Sequence, residues 1–485
     1  MNGLWFALLL VAQPVPSNVS VTTTSVGEYR GDNQNNRTDD DHFGGWQNRL
    51  NVLGTAGDFV AQTRLDSAVF VHAPTLNNNA RLERFGLQYE HGAWRLQGGD
   101  GYVQLGRGIV LSVRKGDEVG VDMALRGGQV EYNAPVQQAT LFAGVLNPAN
   151  IDAVSQKLVA DPRDLLAGGR WLYTGHEKFQ LGLFGIYLQP HERVLPSQRD
   201  DTVSGGLHLD VPDLLGSALY VEADAQQRHL AGTSQVGKAA YVTLDTHVGP
   251  VDALLEGIYL NAFETLGSRN TATGARFAYN RPPTLERIQD EVDNNRDVLG
   301  GRLRLGHAWD NVQTSVQGLL KYNDFGQAAP VAVQHGYGGV EWNYDTSHLN
   351  GSAGYRRAVQ NGTVVKTMAH VSMDWLQAMG RRLAAHVTLD HAWRTLDRRR
   401  YWLGTALVGV ERAGWGELSF ELGYDTQDPT VRRLFYAGIV TMALSDTWQL
   451  RALVGSQRGG IKCVSGVCRE YPEFSGVRAE LIVRL

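Results

Sequence analysis

From Ser17 onward the chain repeats one pattern, a segment of about ten residues in which polar and apolar positions alternate, followed by a turn. In GELSFELGYD, Leu418, Phe420, Leu422 and Tyr424 fall on one face, and Glu417, Ser419, Glu421 and Asp425 on the other. KAAYVTLDTHV divides in the same way, with Ala240, Val242, Leu244 and Val248 against Tyr241, Thr243, Asp245 and His247. So does SGVRAELIVRL, where Val477, Ala479, Leu481, Val483 and Leu485 oppose Arg478, Glu480 and Arg484. A period of two predicts strands, but one apolar and one charged face suit a soluble sandwich and a membrane barrel equally.

The connections separate these two. Very short turns, at 55–57, 91–92, 175–177, 249–250, 310, 345–347, 413–414 and 444–446, alternate with longer or more polar connections. The second set comprises the opening stretch, 77–79, 147–164, 190–199, 228–235, 262–296, 323–333, 397–400 and 456–472, while 427–430 blurs the distinction. Tight periplasmic turns and long extracellular loops give a membrane barrel this asymmetry, and a sandwich has no reason for it. The sequence therefore predicts an all-β fold: a single large antiparallel transmembrane β-barrel of about 24 strands, within a range of roughly 18–26. Its first strand lies near 18–29, and both chain ends fall on the short-turn side. Trp94, Trp309, Trp375, Trp415 and Trp448 each lie within a few residues of a short turn, where an amphipathic ring meets lipid headgroups.

Composition fits this reading once the strands are two-faced. The 485 residues are 43% hydrophobic and 20% charged, with a mean hydropathy of -0.25, values that resemble a water-soluble protein. A barrel needs apolar residues only at alternate positions, so its average stays polar. Fifty-six glycines beside 15 prolines suit closely paired strands and tight turns. A net charge of -5 offers no basic footprint, so nucleic acid is not an expected partner. Glu222, Asp224, Arg302, Arg304, Gln313, Gln317 and Lys321 fall on inward positions, and charges of both signs there predict a wet lumen. The apolar segment Leu4 to Ala12 has the length of a signal-peptide core, although no Lys or Arg precedes it. Residues 1–16 are read as a signal peptide and 17–485 as the barrel domain. Cys463 and Cys468, the only cysteines, sit in the last long connection and are expected to form a small disulfide clip in an oxidising compartment.

One stretch, GRGIVLSVRKGDEVGVDMALRGG at 106–128, sets an apolar run beside a dense group of charges. Ile109 to Val113 is expected to continue a barrel strand. Arg107, Arg114 and Lys115 are then constriction candidates opposed to Asp117, Glu118 and Asp122, with Arg126 nearby; facing charges select ions at close quarters. The alternative is an extracellular loop with weak local ion pairs. A barrel of this strand number leaves a wide lumen unless something fills it, and the 262–296 and 147–164 connections are the candidates to fold inward.

The surrounding segment, GDGYVQLGRGIVLSVRKGDEVGVDMALRGGQVEY, resembles the signature of a largely uncharacterised family of outer-membrane β-barrel proteins from Gram-negative bacteria. The matching positions are Gly99, Asp100, Tyr102, Gly106, Gly108, Ile109, Asp117, Glu118, Gly120, Asp122 and Gly127. The resemblance spans about thirty residues and implies a porin-like barrel without an assigned activity. One departure from barrels in general is the final Leu485, where an aromatic residue is usual for recognition by the barrel-assembly machinery.

Motifs for other chemistry are missing. GRG at 106–108 lacks dinucleotide-loop spacing, and Asp39, Asp40, Asp41 and His42 lack that of an EF-hand. Asp152, Asp161, Asp164 and the 14 histidines show no triad or metalloprotease spacing. No enzyme, cofactor or metal is therefore expected. An active transporter of the TonB type would carry a plug domain of about a hundred residues before the barrel, whereas strands begin here near residue 18. The expected function is a porin-like channel in the cell outer membrane for passive passage of small polar solutes. The alternative is a non-conducting barrel whose loops bind a ligand, a surface polymer or a protein partner. Expected partners are outer-membrane lipid, the barrel-assembly machinery and a small polar solute.

Overall fold

A computed structural model describes residues 17–36, 38, 40–73, 75–116, 121–152, 155–192, 200–286, 297–464 and 467–485. The expected signal peptide, Asp39, Asp117, Glu118 and Gly120 lie outside the described residues. Among those described there is no helix, and 24 long strands form one continuous antiparallel sheet. The sheet closes because Ser17–Arg30 pairs with Phe43–Ala56 on one side and with Phe474–Arg484 on the other. Val21 and Leu485 complete the seam, each donating its N–H to the other's carbonyl at 2.8 Å. Closure leaves no sheet edge unpaired, which is what allows strands to cross lipid.

The alternation in the sequence becomes the two faces of this wall. Leu418 and Phe420 point outward at 57% and 53% exposure, while Ser419 between them is buried. Tight turns close one end of the barrel, several through a residue that tolerates positive φ: Gly57, Gly92, Gly249, Asp310 and Asp345. Trp94, Trp309, Trp415 and Trp448 are exposed near that end. A second aromatic level lies toward the other end, where Trp393 and Trp402 are register partners and both outward-facing. Two such girdles mark the two membrane interfaces.

The long connections gather at the loop end as expected, with two corrections. The strands on either side of 231–232 and 397–398 extend further than their polar sequences suggested, so each of these connections is a two-residue turn. Asp397 and Arg398 take φ of 48° and 70°, which closes the turn that the charge run had disguised as a loop.

The largest hydrophobic core lies inside the barrel and to one side. It covers the inner wall from Val121–Ala134 through Val312–Asn323, represented by Phe142, Phe184, Ile186, Tyr241, Ile258, Leu260 and Leu319. The strands from Val331–Tyr344 round to Asn79–His91 contribute nothing to it. Three short hairpins stand apart from the wall: Val103–Leu105 with Leu111–Val113, Leu266–Arg269 with Arg276–Ala278, and Gly460–Val464 with Val467–Tyr471.

Candidate functional site

The material that fills this half of the lumen comes from the chain's own connections. Trp94–Gly101 parts from Asn79–His91 at Gly99, whose φ is +100° and whose added Cβ would lie 2.4 Å from the Phe85 carbonyl, and leaves the wall after Gly101. Only glycine fits at Gly99. The chain then runs inward as the Val103–Val113 hairpin, and Ile109, Val110, Leu111 and Val113 are all 0% exposed. Phe263, Phe277, Tyr279 and Leu285 of the 262–297 connection cover its other side. Ser112 N donates to Tyr279 O at 2.7 Å, Arg281 N to Gly108 O at 2.7 Å, and Thr265 Oγ1 to Val110 O at 3.0 Å.

The expectation that Ile109 to Val113 continues a barrel strand is therefore corrected. A lipid-facing strand alternates, but this run is apolar at consecutive positions and demands cover on both faces. Lipid covers one face only. The lumen is correspondingly not wet throughout, because this half is a dry plug.

The tip of the hairpin is seated on the wall strand Ser217–Leu230. Arg107 N donates to Glu222 Oε2 at 2.8 Å, the Tyr220 hydroxyl donates to the same oxygen, and the Arg107 guanidinium lies 4.5 Å over the Tyr220 ring. Gly106, at φ +51°, has no room for a side chain, since a Cβ would sit 2.4 Å from Glu222 Oε1. Glu222 is 0% exposed.

At the stem the charges pair in another way than expected. Asp122 accepts from Arg64 Nη1 at 2.7 Å and from the Tyr102 hydroxyl at 3.0 Å, and Arg84 Nη2 lies 3.1 Å from its Oδ1. Arg126 holds Asp100 at 3.0 Å. So Asp122 does not face Arg107 across a passage: wall arginines from two earlier strands claim it, as burial of a carboxylate requires. Burial and the Asp122 charge push the Tyr102 hydroxyl up to about 12. Arg114 is close enough to Arg281 that, after burial, its charge helps pull that guanidinium down to about 10. Lys115 belongs to a two-residue strand that pairs with Val121 and Asp122 at the hairpin's exit.

A buried carboxylate that the sequence offered only as a catalytic candidate without the right spacing binds three loops together. Asp164, 0% exposed, accepts from Ser268 N at 2.8 Å, from Ser268 Oγ, from His191 N at 2.8 Å and from Tyr279 Oη at 2.6 Å. Burial and this carboxylate push the Tyr279 hydroxyl well above its ordinary range. The 147–164 connection does fold inward: Gln156 reaches Glu28 on the wall strand Ser17–Arg30 and Ile151 packs on Phe43, Ala68 and Phe70. The 262–297 connection ends its described part at Glu286, which accepts from His335 Nδ1 at 2.9 Å and from Arg356 Nε at 3.1 Å. Burial alone would raise this carboxyl, but the bond and charge of His335, with Arg356 and Lys321, hold it down at about 2.

The other half of the lumen is polar. Asp374 lies on the inner face yet its side chain is 56% exposed, and it shares His386 with Glu417 at 3.4 and 3.2 Å. A cavity of about 580 Å³ opens at the loop end among Arg30, Phe43, Arg394, Leu403 and Arg458. Another of about 500 Å³ opens toward the turn end beneath the plug, between Asp245, Arg304, Gln317 and Asn350. No group of three or more metal-ligating side chains converges among the described residues. In the last loop the backbone register sets Cys463 opposite Cys468.

A family model described as a family of unknown function (DUF6029) matches residues 339–485, a stretch separate from residues 99–132 that carry the resemblance noted in the sequence. No curated protein matches the chain. Among solved structures, the E. coli P pilus tip assembly intermediate PapC-PapD-PapK-PapG is similar with a TM-score of 0.53 at 9% identity, over 98% of this chain and 62% of that one. The P pilus usher (PapC) translocation pore scores 0.47 at 10% identity, over 96% and 99%. OccK5 (OpdH) of Pseudomonas aeruginosa scores 0.42 at 9% identity, over 74% and 96%. The fold likeness rests on the first of these. The protein is a 24-strand antiparallel β-barrel.

Proposed function

We propose that this barrel is a channel for small polar solutes, narrowed by a plug that its own loops build. The observation that carries the reading is the division of the lumen. Apolar loop residues seal the wall from Val121–Ala134 to Val312–Asn323. On the remaining wall an inner-face carboxylate such as Asp374 stays half open to water. A dry core has no use for an exposed carboxylate, and a transit path does. The plug answers the width problem, since 24 strands alone enclose far more space than a small solute needs.

Single-channel recording of the refolded protein in a planar lipid bilayer tests this. Discrete current steps are expected, with a larger unit conductance when Val103 to Val113 is replaced by a short Gly-Ser linker. Absence of current from well-folded wild type and linker variant alike would overturn the channel and leave the loops as a binding surface.

A further inference from the structure

The loop-end cavity of about 580 Å³ holds charges of both signs that do not pair with one another. Arg458 follows Trp448–Gln457, and its side chain runs along the inner wall over Gly423, where an added Cβ would come within 3.3 Å of the Arg458 Cβ. Its Nε is buried and meets no acceptor among the described residues. Asp40 offers the complementary atom. Its Oδ2 accepts the amides of Asn33 and Asn35, both at 3.1 Å, while its Oδ1 is buried and meets no donor among the described residues.

The fold brings these two charges to one place. Asn33 also donates to the Glu473 carbonyl at 3.2 Å, which sets Asp40 beside the head of Phe474–Arg484. That strand pairs with Trp448–Gln457, whose continuation carries Arg458. A buried donor and a buried acceptor in one cavity, each unmet, are costly alone and are not close enough to satisfy each other.

The rest of the lining is mixed in the same way. Asp425, Asp428 and Glu473 add carboxylates, and Lys157 and Arg432 add cations. Their bonds go to neutral groups: Asp425 accepts Gln427 N at 2.8 Å, Asp428 accepts Thr430 N at 2.8 Å, and Arg432 donates to Gln34 Oε1 at 3.2 Å. Such bonds leave every charge in place. Arg30 pairs with Glu28 at 3.0 Å and Arg394 has a partner of its own, so neither is a free ligand. The cavity thus has no field of a single sign. A solute with one charge is drawn by some of the lining and repelled by the rest, whereas a solute with two opposite charges can meet both kinds.

From this geometry we infer a binding site for a small zwitterion, a solute of the amino-acid or short-peptide class, whose carboxylate takes the Arg458 guanidinium and whose ammonium takes Asp40. A guanidinium fork matches a carboxylate two bonds at a time, and an ammonium brings three donors and no acceptor, which is what an unmet carboxylate oxygen requires. The cavity volume suits a small solute and not a folded partner. The inference deepens the channel reading by naming a substrate class, and it rests on that reading for transit alone.

Isothermal titration of the refolded full chain tests the site without requiring conduction. The probes are glycine, β-alanine, glycylglycine and triglycine, which set the two charges at increasing separations, with acetate and ethylammonium as singly charged controls. At least one zwitterion is expected to bind about tenfold or more tightly than either control, because each charged contact contributes about that much. Arg458→Gln should weaken that zwitterion and acetate about tenfold and leave ethylammonium unchanged. Asp40→Asn should weaken the zwitterion and ethylammonium and leave acetate unchanged. Arg458→Lys should recover part of the loss, since lysine keeps the charge and loses the fork. Arg304→Gln, in the turn-end cavity, should bind like wild type. Both altered positions lie beyond strand ends, heat-modifiable gel mobility shows which variants keep the barrel, and the comparison of probes in wild type needs no variant. Zwitterions that bind no more tightly than both controls, or wild-type affinity in Arg458→Gln or in Asp40→Asn, overturn the inference. Bilayer recordings keep it apart from the channel: binding without current removes the channel and keeps the site, whereas current without binding does the opposite.

Discussion

The backbone N–H of Arg107 donates to Glu222 Oε2 at 2.8 Å, a bond that ties a loop tip to a wall strand on the far side of the plug. It seats the hairpin on the wall, and Gly106 makes the approach possible. Gly106→Val is expected to unseat the tip, because its side chain collides with the Glu222 carboxylate and its φ of +51° is strained for a β-branched residue by about 1–3 kcal/mol. A shift of that size changes the seated-to-unseated ratio by about 5- to 150-fold. In bilayer recordings the variant should spend more time in higher-conductance states than wild type; an unchanged distribution of current levels would show that the tip does not gate the passage.

Asp164 holds the plug's other side. Asp164→Ala removes the acceptor of Ser268, His191 and Tyr279 and leaves buried donors unmet, at about 1–3 kcal/mol each. The loops should loosen while the barrel stays closed, since none of these bonds belongs to the strand ladder. Limited proteolysis is expected to cut the 190–200 and 262–297 connections faster in the variant, with heat-modifiable mobility preserved. Cleavage at the wild-type rate would mean that apolar packing alone secures these loops.

The stem gives a contrasting outcome. Asp122 balances Arg64 and Arg84, both of which are buried. Asp122→Ala takes the shared carboxylate from two buried guanidiniums and leaves Arg64 with Asp66 and Arg84 with Glu83 as their remaining ion pairs, a loss of about 1–3 kcal/mol for each charge-assisted bond left unmet. This loss falls on the barrel itself, and refolding yield should drop sharply. Tyr102→Phe removes only the hydroxyl bond to Asp122 and should refold normally, about 1 kcal/mol less stable. A refolding yield for Asp122→Ala equal to that of Tyr102→Phe would refute the assigned role.

Much of the barrel could be read from the chain because each wall strand has lipid on one side, and lipid imposes a strict period of two. Leu418, Phe420 and Leu422 show it, and the turn at Asp345 marks where it stops. The plug obeys no such rule. Ile109 to Val113 looked like one more strand since a short apolar run does not reveal what covers it, and its cover comes from Phe277 and Tyr279 more than 160 residues later. The role of Asp164 was invisible for the same reason, with partners from separate loops meeting only in space. A signal did exist for Glu222 and Asp224: both were placed inward by alternation, and burial without an ion-pair partner on their own strand calls for something to dock there.

Glu286 makes the plug's last anchor sensitive to acid. Its carboxyl is held at about 2, below an ordinary 4.5, since the bond and charge of His335 with Arg356 and Lys321 outweigh burial. A carboxyl depressed in the folded state stabilises fully above its unfolded value and loses that contribution as pH falls through the folded one. The 262–297 connection should therefore stay docked at pH 5 and release progressively between about pH 4.5 and 2. His335 and His370 meet through their Nε2 atoms at 2.9 Å, a second contact that holds the His335 ring against Glu286. Glu286→Gln isolates the carboxyl's part. It removes the carboxyl phase below about pH 4.5 and leaves the rest of the profile unchanged. Hydrogen exchange of the 275–286 backbone across pH, referenced to the barrel strands and corrected for intrinsic rates, reports the docking directly. Loss of protection below pH 4.5 in wild type, absent from Glu286→Gln, is the expected result, and an identical acid profile in both proteins would exclude Glu286 as the anchor.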